Sequence, residues 1–365
     1  MDWLHASLVV SGGLYGATVL WLWRGLLRNR LQNPTCDYPS VSVVVAARDE
    51  EGPLPACLAA LAAQDYPGPL EVVVVDDRSR DGTGAVIAAK AAEWPALKAV
   101  RAQDPPRYAC PKKSALAQGI AASTGEILLF TDADCRPPVT WARAMTARFS
   151  PEVGLVAGYA RSDPVAGWLN AVLAVDNIGV GALGAGSIGM GYPLSCTGRS
   201  LAYRREVYDG LDGFAAIGHL IGGDDVYFMR LVAAEGRWRA AFNPDAAVLS
   251  PPLARVGAIV QQKLRHAAKG GHYKGGALVL AVGVYLFHLM LALGLGRMLW
   301  TGIFDPLTVG VWVLRWGVDW MLLRRMATAV ERPLLRYLPI VEVLYIPYVL
   351  FFTVIGRLGW FRWKT

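Results

Sequence analysis

The sequence predicts an α/β domain on a Rossmann-like, mostly parallel sheet, tied to a membrane by one apolar helix before it and about three after it. Three observations carry this. Between 41 and 134, short β-branched runs alternate with Ala- and Leu-rich stretches, and acidic residues cluster where the runs end. Of the 365 residues, 54% are hydrophobic and 18% charged, with a mean hydropathy of +0.34. That is too apolar for an ordinary soluble chain and far from the composition of disorder.

Residues 3–23 contain no Lys, Arg, Asp or Glu, and are long enough to cross a hydrocarbon core of about 30 Å. Asp2 precedes the run and Arg24, Arg28 and Arg30 come after it, the reverse of a signal peptide, so the positive-inside rule puts the α/β domain in the cytoplasm. The strands are then VSVVVAA (41–47), EVVVVDD (71–77) and EILLFTDAD (126–134), and the helices LPACLAALAAQ (54–64), GAVIAAKAA (84–92) and KSALAQGIAA (113–122). Strands apolar on both faces predict a parallel sheet covered by helices, with ligands at the carboxyl ends of the strands.

Further apolar runs lie at 277–296, 303–323 and 338–359, interrupted by His288, by Arg315 and Asp319, and by Glu342 and Pro347. Four membrane segments are expected in all. Arg315 and Asp319 stand one helical turn apart and are read as a structural ion pair. Pro339 and Pro347 leave the last segment either spanning or re-entrant. The domain boundaries read as 1–36 for the first membrane helix and its basic flank, 37–250 for the cytoplasmic domain, 251–275 for a basic interfacial helix and 276–365 for the membrane region.

Residues 37–275 carry 24 basic and 24 acidic side chains, so the net charge of +7 resides in the two ends. That is a membrane-flank signature and excludes a nucleic-acid footprint, which masses Lys and Arg on a folded domain. Cys36, Cys57, Cys110, Cys135 and Cys196 form no C-x-x-C pair, which suggests neither a disulfide framework nor a zinc site. Residues 165–197 hold a single charge, Asp176, and many glycines. The stretch is either a buried core helix or, the favoured reading, a surface dipping into the lipid interface where a hydrophobic acceptor enters. Arg255, Lys263, Arg265, Lys269 and Lys274 gather where no acid intervenes, as suits an interfacial helix on anionic membrane lipid.

Acids at three strand ends aimed into one crevice repel unless a cation occupies it. A divalent metal with oxygen ligands, Mg2+ or Mn2+, shared with a nucleoside diphosphate, is the simplest occupant.

In order along the chain, VVVAARDEE (43–51), VVDDRSRDGT (74–83), KKSALAQGIAASTGEILLFTDADC (112–135), GRSLAYRREVYDGLDGF (198–214), GGDDVYFMRL (222–231) and QQKLRHAAKGG (261–271) resemble glycosyltransferase family 2. Those are inverting, nucleotide-sugar-dependent enzymes with an A-type glycosyltransferase fold, and the likeness covers about 41–275. It implies that Asp77 reads the nucleobase with Ala47 and Asp49 lining the same pocket, and that Lys113, from the Lys112-Lys113 pair, approaches the nucleotide. It implies further that Asp132 faces the donor sugar, that Asp134 binds the metal, and that Asp225 is the general base with Asp224 as a structural or donor contact. By residue type alone, Asp224-Asp225 reads better as an N-terminal helix cap, and only the company of the other motifs favours the base. Gln262, Arg265 and His266 match a Q-x-x-R-W motif with His in place of Trp. Arg265 is then assigned to the diphosphate and Gln262 and His266 to the acceptor, and the missing Trp argues against processive synthesis.

The resemblance thus implies a multi-pass enzyme of the cell membrane, the bacterial inner membrane, with its catalytic domain in the cytoplasm. It would move a hexose-type sugar from a UDP-sugar to a lipid acceptor, similar to ceramide and carotenoid glucosyltransferases. The rival readings are a processive polysaccharide synthase and a non-catalytic sugar-nucleotide-binding scaffold.

Overall fold

The computed structural model describes residues 2–30, 37–164, 166–252, 256–269 and 275–357. Within them the chain forms two compact units. One comprises Gly25–Asp163 and Leu183–Pro251, the other Met1–Arg24, Pro164–Ala182 and Pro252–Thr365.

The first unit holds a seven-stranded sheet in the order β3-β2-β1-β4-β6-β5-β7. In chain order the strands are β1 (Val41–Ala47), β2 (Leu70–Asp76), β3 (Leu97–Arg101), β4 (Ile127–Phe130), β5 (Val153–Ser162), β6 (Leu201–Arg204) and β7 (Arg239–Ser250). Only β6 runs antiparallel to its neighbours; β1 pairs in parallel with both β2 and β4. The early strands form as expected because β-branched residues suit the pleat and both faces are covered. Val43, Val45, Val72, Val74 and Leu129 of one face pack with Cys57, Leu58 and Leu61 of α2 (Leu54–Ala62) and with Trp141 and Met145 of α5 (Trp141–Thr146). On the other face α4 (Pro111–Ala121) lies so close that a Cβ on its Gly119 would stand 2.6 Å from Val44 Cγ1. Trp141 is fully buried and donates from Nε1 to Ser200 Oγ at 3.0 Å. Remaining helices of the sheet unit are α3 (Thr83–Glu93), α7 (Arg205–Gly210) and α8 (Val226–Glu235).

The order reverses at β1: the chain moves outward to β2 and β3, then returns to place β4 on the other side of β1. Such a reversal opens a crevice at the strands' carboxyl ends, and residues 47–51, 76–83 and 131–135 all emerge there.

Two helices have parts in both units, α1 (Trp3–Arg30) and α6 (Trp168–Gly189). Within the sheet unit their C-terminal parts meet backbone to backbone. A Cβ on Gly25 would lie 1.8 Å from Gly186 O, and one on Gly189 would lie 2.1 Å from Gly25 O. Asn29 Nδ2 then donates to Ala185 O at 2.7 Å.

The helical unit adds α9 (Val256–Lys269), α10 (Gly276–Thr301), α11 (Pro306–Met326) and α12 (Leu338–Arg357). Among the described residues, the helices long and apolar enough to cross a membrane are Trp3–Asn29, Trp168–Gly189, Gly276–Thr301 and Arg332–Gly356. This departs from the expected set in two ways. The 303–323 run forms α11, but its Arg and Asp side chains keep it outside that class, and α6 takes its place. Yet 61% of the α6 window is buried, against 17–28% in the other three. Val172, Val175 and Ile178 pack on Leu323, Leu335 and Val341, while Trp168 and Leu169 are exposed at the helix start. The 165–197 stretch therefore combines a core helix with an exposed apolar tip. Helix α12 continues through Pro347.

Lys263 of α9 is buried, ion-paired with Asp176 and 5.5 Å from the Tyr348 ring. The basic stretch thus spends one of its charges inside the protein and not on lipid. The expected pair of Arg315 and Asp319 forms at 3.4 Å and is part of a larger group. Arg315 Nη2 lies 2.9 Å from Glu342 Oε2, and Tyr15 Oη donates to both Asp319 oxygens at 2.9 and 2.8 Å.

Candidate active site

Strand ends and one helix start bring the site together. Asp132 and Asp134 come directly after β4, and Asp224 and Asp225 precede α8, whose Phe228 rests against Tyr203 of β6 with ring centroids 4.6 Å apart. The two residues before them, Gly222 and Gly223, have φ of 72° and 70°. A Cβ on Gly223 would stand 2.2 Å from the Tyr227 ring, so the turn that presents the acids requires glycine there.

Lys112 links the two acid pairs. Its Nζ donates to Asp132 Oδ1 at 2.5 Å and lies 3.8 Å from Asp224 Oδ2. Burial alone would lower its pKa, but Asp132 and Asp224 outweigh that and raise it well above the ordinary value, so the ammonium stays charged. Gly198 sits between these groups: a Cβ built on it would be 3.5 Å from Asp224 Oδ2 and 3.9 Å from Lys112 Nζ. Its N–H donates to Asp225 Oδ2 at 3.2 Å. Asp225 Oδ1 accepts from Val226 N at 2.6 Å, so this residue also caps α8.

Asp132, Asp134 and Cys135 bring one potential ligand atom each to within 4.8 Å of one another. Burial first, and Asp132 second, push the Asp134 carboxyl above its usual range, the effect a bound cation reverses. Burial and the same two acids hold the Cys135 thiol protonated. The donors that fit are thus carboxylate oxygens, a hard set suited to Mg2+ or Mn2+ and not to a thiophilic metal.

At the end of β1, Asp77 N donates to Ala47 O at 2.7 Å, and Asp49, at φ 53°, accepts at Oδ1 from Arg80 N at 2.8 Å. Asp77 is buried with the Arg78 guanidinium against it, and burial still pushes its carboxyl above the usual range. Arg78 reaches on to Asp104 at 3.5 Å.

Lys113 is held by backbone carbonyls. It is fully buried, and its Nζ donates to Ile217 O at 2.6 Å and Leu220 O at 2.8 Å, tying α4 to the loop that leads to Gly222. The ammonium at the acid cluster belongs to Lys112, which sequence reasoning passed over. No signal within the chain separates the two neighbouring lysines, since only the rotation of α4 decides which of them meets Asp132. Gln262 is half-buried on α9, while the side chains of Arg265 and His266 lie outside the described ones.

The family model for glycosyl transferase family 21 matches residues 4–355. The chain belongs to glycosyl transferase family 21. Family 21 is therefore the assignment, and the likeness to family 2 stays a resemblance of motifs; the chain is a glycosyltransferase, as expected. A Rhizobium meliloti protein described as an N-acetylglucosaminyltransferase is 28% identical over 63% of this chain and 55% of its own length. A Synechocystis beta-monoglucosyldiacylglycerol synthase is 35% identical over 33% of this chain and 25% of its own. The chain spans about half the length of the first relative and a quarter of the second. Among solved structures, the Pyrobaculum calidifontis mannosyltransferase PcManGT, in complex with GDP-Man and Mn2+, superposes with a TM-score of 0.60 at 21% identity over 98% of both chains. That likeness establishes the fold of this family 21 member as that of A-type glycosyltransferases.

Proposed function

We propose that this chain is an inverting, membrane-bound glycosyltransferase that moves a hexose from a UDP-sugar to the hydroxyl of a lipid acceptor, with Mg2+ or Mn2+. The observation that carries the reading is the convergence of Asp132, Asp134, Asp224 and Asp225 around Lys112 and Gly198. An excess of carboxylates over ammonium groups at a sheet crevice matches a diphosphate shared with a divalent cation.

Asp134, with Asp132, would hold the metal, which when bound neutralises charge on the departing diphosphate. Lys112 lies against the same carboxylate and supplies a further positive charge at the diphosphate. Asp77, ionised, only accepts hydrogen bonds, so it selects a base with an N–H on its pairing edge, such as uracil, with Ala47 and Asp49 shaping the pocket. Asp224 sits beside Lys112 on the sugar side. Asp225 takes the acceptor hydroxyl proton as that oxygen attacks the anomeric carbon and the bond to the diphosphate breaks on the opposite face. The N–H groups of Gly198 and Val226 orient the carboxylate for that step. Arg265 is assigned to the diphosphate, and Gln262 and His266 to the acceptor.

A lipid acceptor is supported by the long apolar helices, by the exposed apolar start of α6 and by the glycolipid synthase among the relatives. The same features support a multi-pass protein of the cell membrane, its sheet unit on the cytoplasmic side where Arg24 and Arg28 lie. The test is to offer membranes containing the protein labelled UDP-glucose, UDP-N-acetylglucosamine and GDP-mannose, with and without chelator. A single labelled lipid from a UDP-sugar, lost on chelation and restored by Mg2+ or Mn2+, is expected. A long water-soluble polymer as product would instead establish a processive synthase, and transfer undiminished in excess chelator would remove the metal.

A further inference from the structure

Asp77, the residue assigned to the base, and Arg78 after it stand where β2 opens on the crevice. Among the described residues, Arg78 is the side chain that donates to the Asp77 carboxylate: its Nη2 meets Oδ1, and Oδ2 accepts from none. Nη1 lies 3.5 Å from Asp104 Oδ1, in the segment after β3. The guanidinium thus links two strand ends on the side of β1 away from β4 and its acids.

This placement is kept at a cost. The Arg78 backbone is at φ 60°, in the left-handed region that residues other than glycine seldom enter. Its Nε is enclosed and has no hydrogen-bond partner among the described residues, which is unfavourable for a buried donor. The contact to Asp104 returns little, because that carboxylate is 77% exposed. Nor does the charge of Asp77 by itself call for Arg78. Burial pushes the carboxyl up and Arg78 holds it down, but Arg48 acts on it in the same sense. What Arg78 adds is the hydrogen bond to Oδ1. Backbone strain maintained beside a binding position points to a role in binding.

An ionised carboxylate with both oxygens open accepts two adjacent N–H groups at once. Guanine offers such a pair on its pairing edge, N1–H beside the N2 amino group. Uracil offers a single N–H, at N3, between two carbonyl oxygens. With Oδ1 committed to the guanidinium, Asp77 keeps Oδ2 for one N–H, and the cation beside it meets a carbonyl oxygen well and an amino group badly. Rejection through an unmatched polar group discriminates more strongly than a difference in apolar contact.

We propose that Arg78 is a specificity-determining residue of the donor site: by occupying Oδ1 of Asp77, it makes the pocket select a uridine diphosphate over a guanosine diphosphate. The inference rests on the reading of Asp77 as the contact to the base. It adds that Asp77 alone, which suits either base, does not make the choice, and that the residue after it does.

The test measures binding of UDP and of GDP, each with Mn2+, to the purified full chain in detergent by isothermal titration calorimetry. The unaltered protein should bind UDP about tenfold more tightly than GDP, in keeping with what one well-placed pair of base contacts discriminates. Arg78→Met frees Oδ1 and should abolish that preference, whereas Arg78→Lys, which keeps a cation at Oδ1, should retain part of it. A merely structural role would lower both affinities alike and leave their ratio unchanged. Equal affinities in the unaltered protein overturn the proposal, as does a folded Arg78→Met variant that still prefers UDP. Asp77→Ala separates this inference from the reading beneath it. If that variant binds UDP as tightly as the unaltered chain, Asp77 does not meet the base and both fail. If it loses UDP while Arg78→Met keeps the preference, only the role of Arg78 fails.

Discussion

Two clusters of ionisable side chains, one in each unit, show what separates a working site from a structural one. In the helical unit Arg315 is nearly enclosed, with Asp319, Glu342 and Tyr15 spending their polar atoms on it or on one another. In the sheet unit Lys112 is about a third exposed and meets Asp132, itself about a third exposed, with Asp134, Asp224 and Asp225 beside them. The first group is held by ion pairs among its own members and by the hydrogen bonds of Tyr15 to Asp319. The second opens on solvent with carboxylates in excess, and so calls for a cation or a ligand.

The contrast predicts opposite responses to neutralising a charge, greatest at the sheet crevice. Asp225→Asn should lower transfer about a thousandfold while donor binding persists, because general-base catalysis contributes roughly that much. Asparagine caps a helix as well as aspartate does, so the melting temperature should hold. Asp134→Asn should instead lose metal-dependent donor binding. Equal loss of donor affinity in both variants would break the assignment of roles.

In the helical unit Arg315→Met leaves two carboxylates facing each other without their guanidinium. Breaking a buried ion pair on one side costs about 3 kcal/mol or more. Thermal unfolding in detergent should show it as a clearly lowered transition, while transfer per folded molecule is kept. If activity falls with no change in the transition, Arg315 serves the reaction and the contrast between the clusters fails.

The adjacent lysines offer a finer comparison. Lys112→Met should raise the donor KM about tenfold, the worth of a charge-assisted hydrogen bond, with the fold intact. Lys113→Met, which leaves Ile217 O and Leu220 O without their donor, should act on stability first. Reversed outcomes would return the nucleotide contact to Lys113.

The smallest effect expected is that of Glu71 at the start of β2. Although burial alone would raise its pKa, hydrogen bonds from Lys98, Ser42 and Thr124 hold it down at about 2. A folded pKa below the unfolded one means that its stabilisation is present above about 4.5 and is lost as pH falls toward about 2. Allowing for solvent screening, Glu71→Gln should cost about 1 kcal/mol at neutral pH and close to nothing at the acid end of that window. A constant difference across the window would show that shape, not charge, is the contribution of Glu71.

Strands β1, β2 and β4 were legible because each is a short apolar run ending in polar residues, a pattern that already implies burial on both faces and ligands at one edge, whereas β3, β5, β6 and β7 carry no such run and went unread. That Asp132 and Asp134 stand at a strand end and Asp225 at a helix start was legible in the same way, while the roles proposed for them rest on the resemblance of motifs. The choice between Lys112 and Lys113 was not legible. Neighbours on a helix point about 100° apart, and the rotation of α4 against the sheet sets which ammonium meets Asp132 and which is buried under the loop at 217–220. Helix α6 was ambiguous because an apolar helix reads the same whether protein or lipid surrounds it.

Composition and periodicity thus suffice for the α/β class and most of the apolar helices, and motif order for the resemblance to glycosyltransferases, since each arises from contacts between residues close in the chain or from the residue types themselves. Packing across long separations settled the rest. Glu342 completes the group around Arg315 from another helix, Asp176 holds Lys263 inside, and Gly25 lies against Gly186 and Gly189. Those partners are distant in sequence, and no local pattern encodes which distant side chain or backbone will close on a charge or a glycine. That depends on how whole elements rotate and cross to bury their apolar faces.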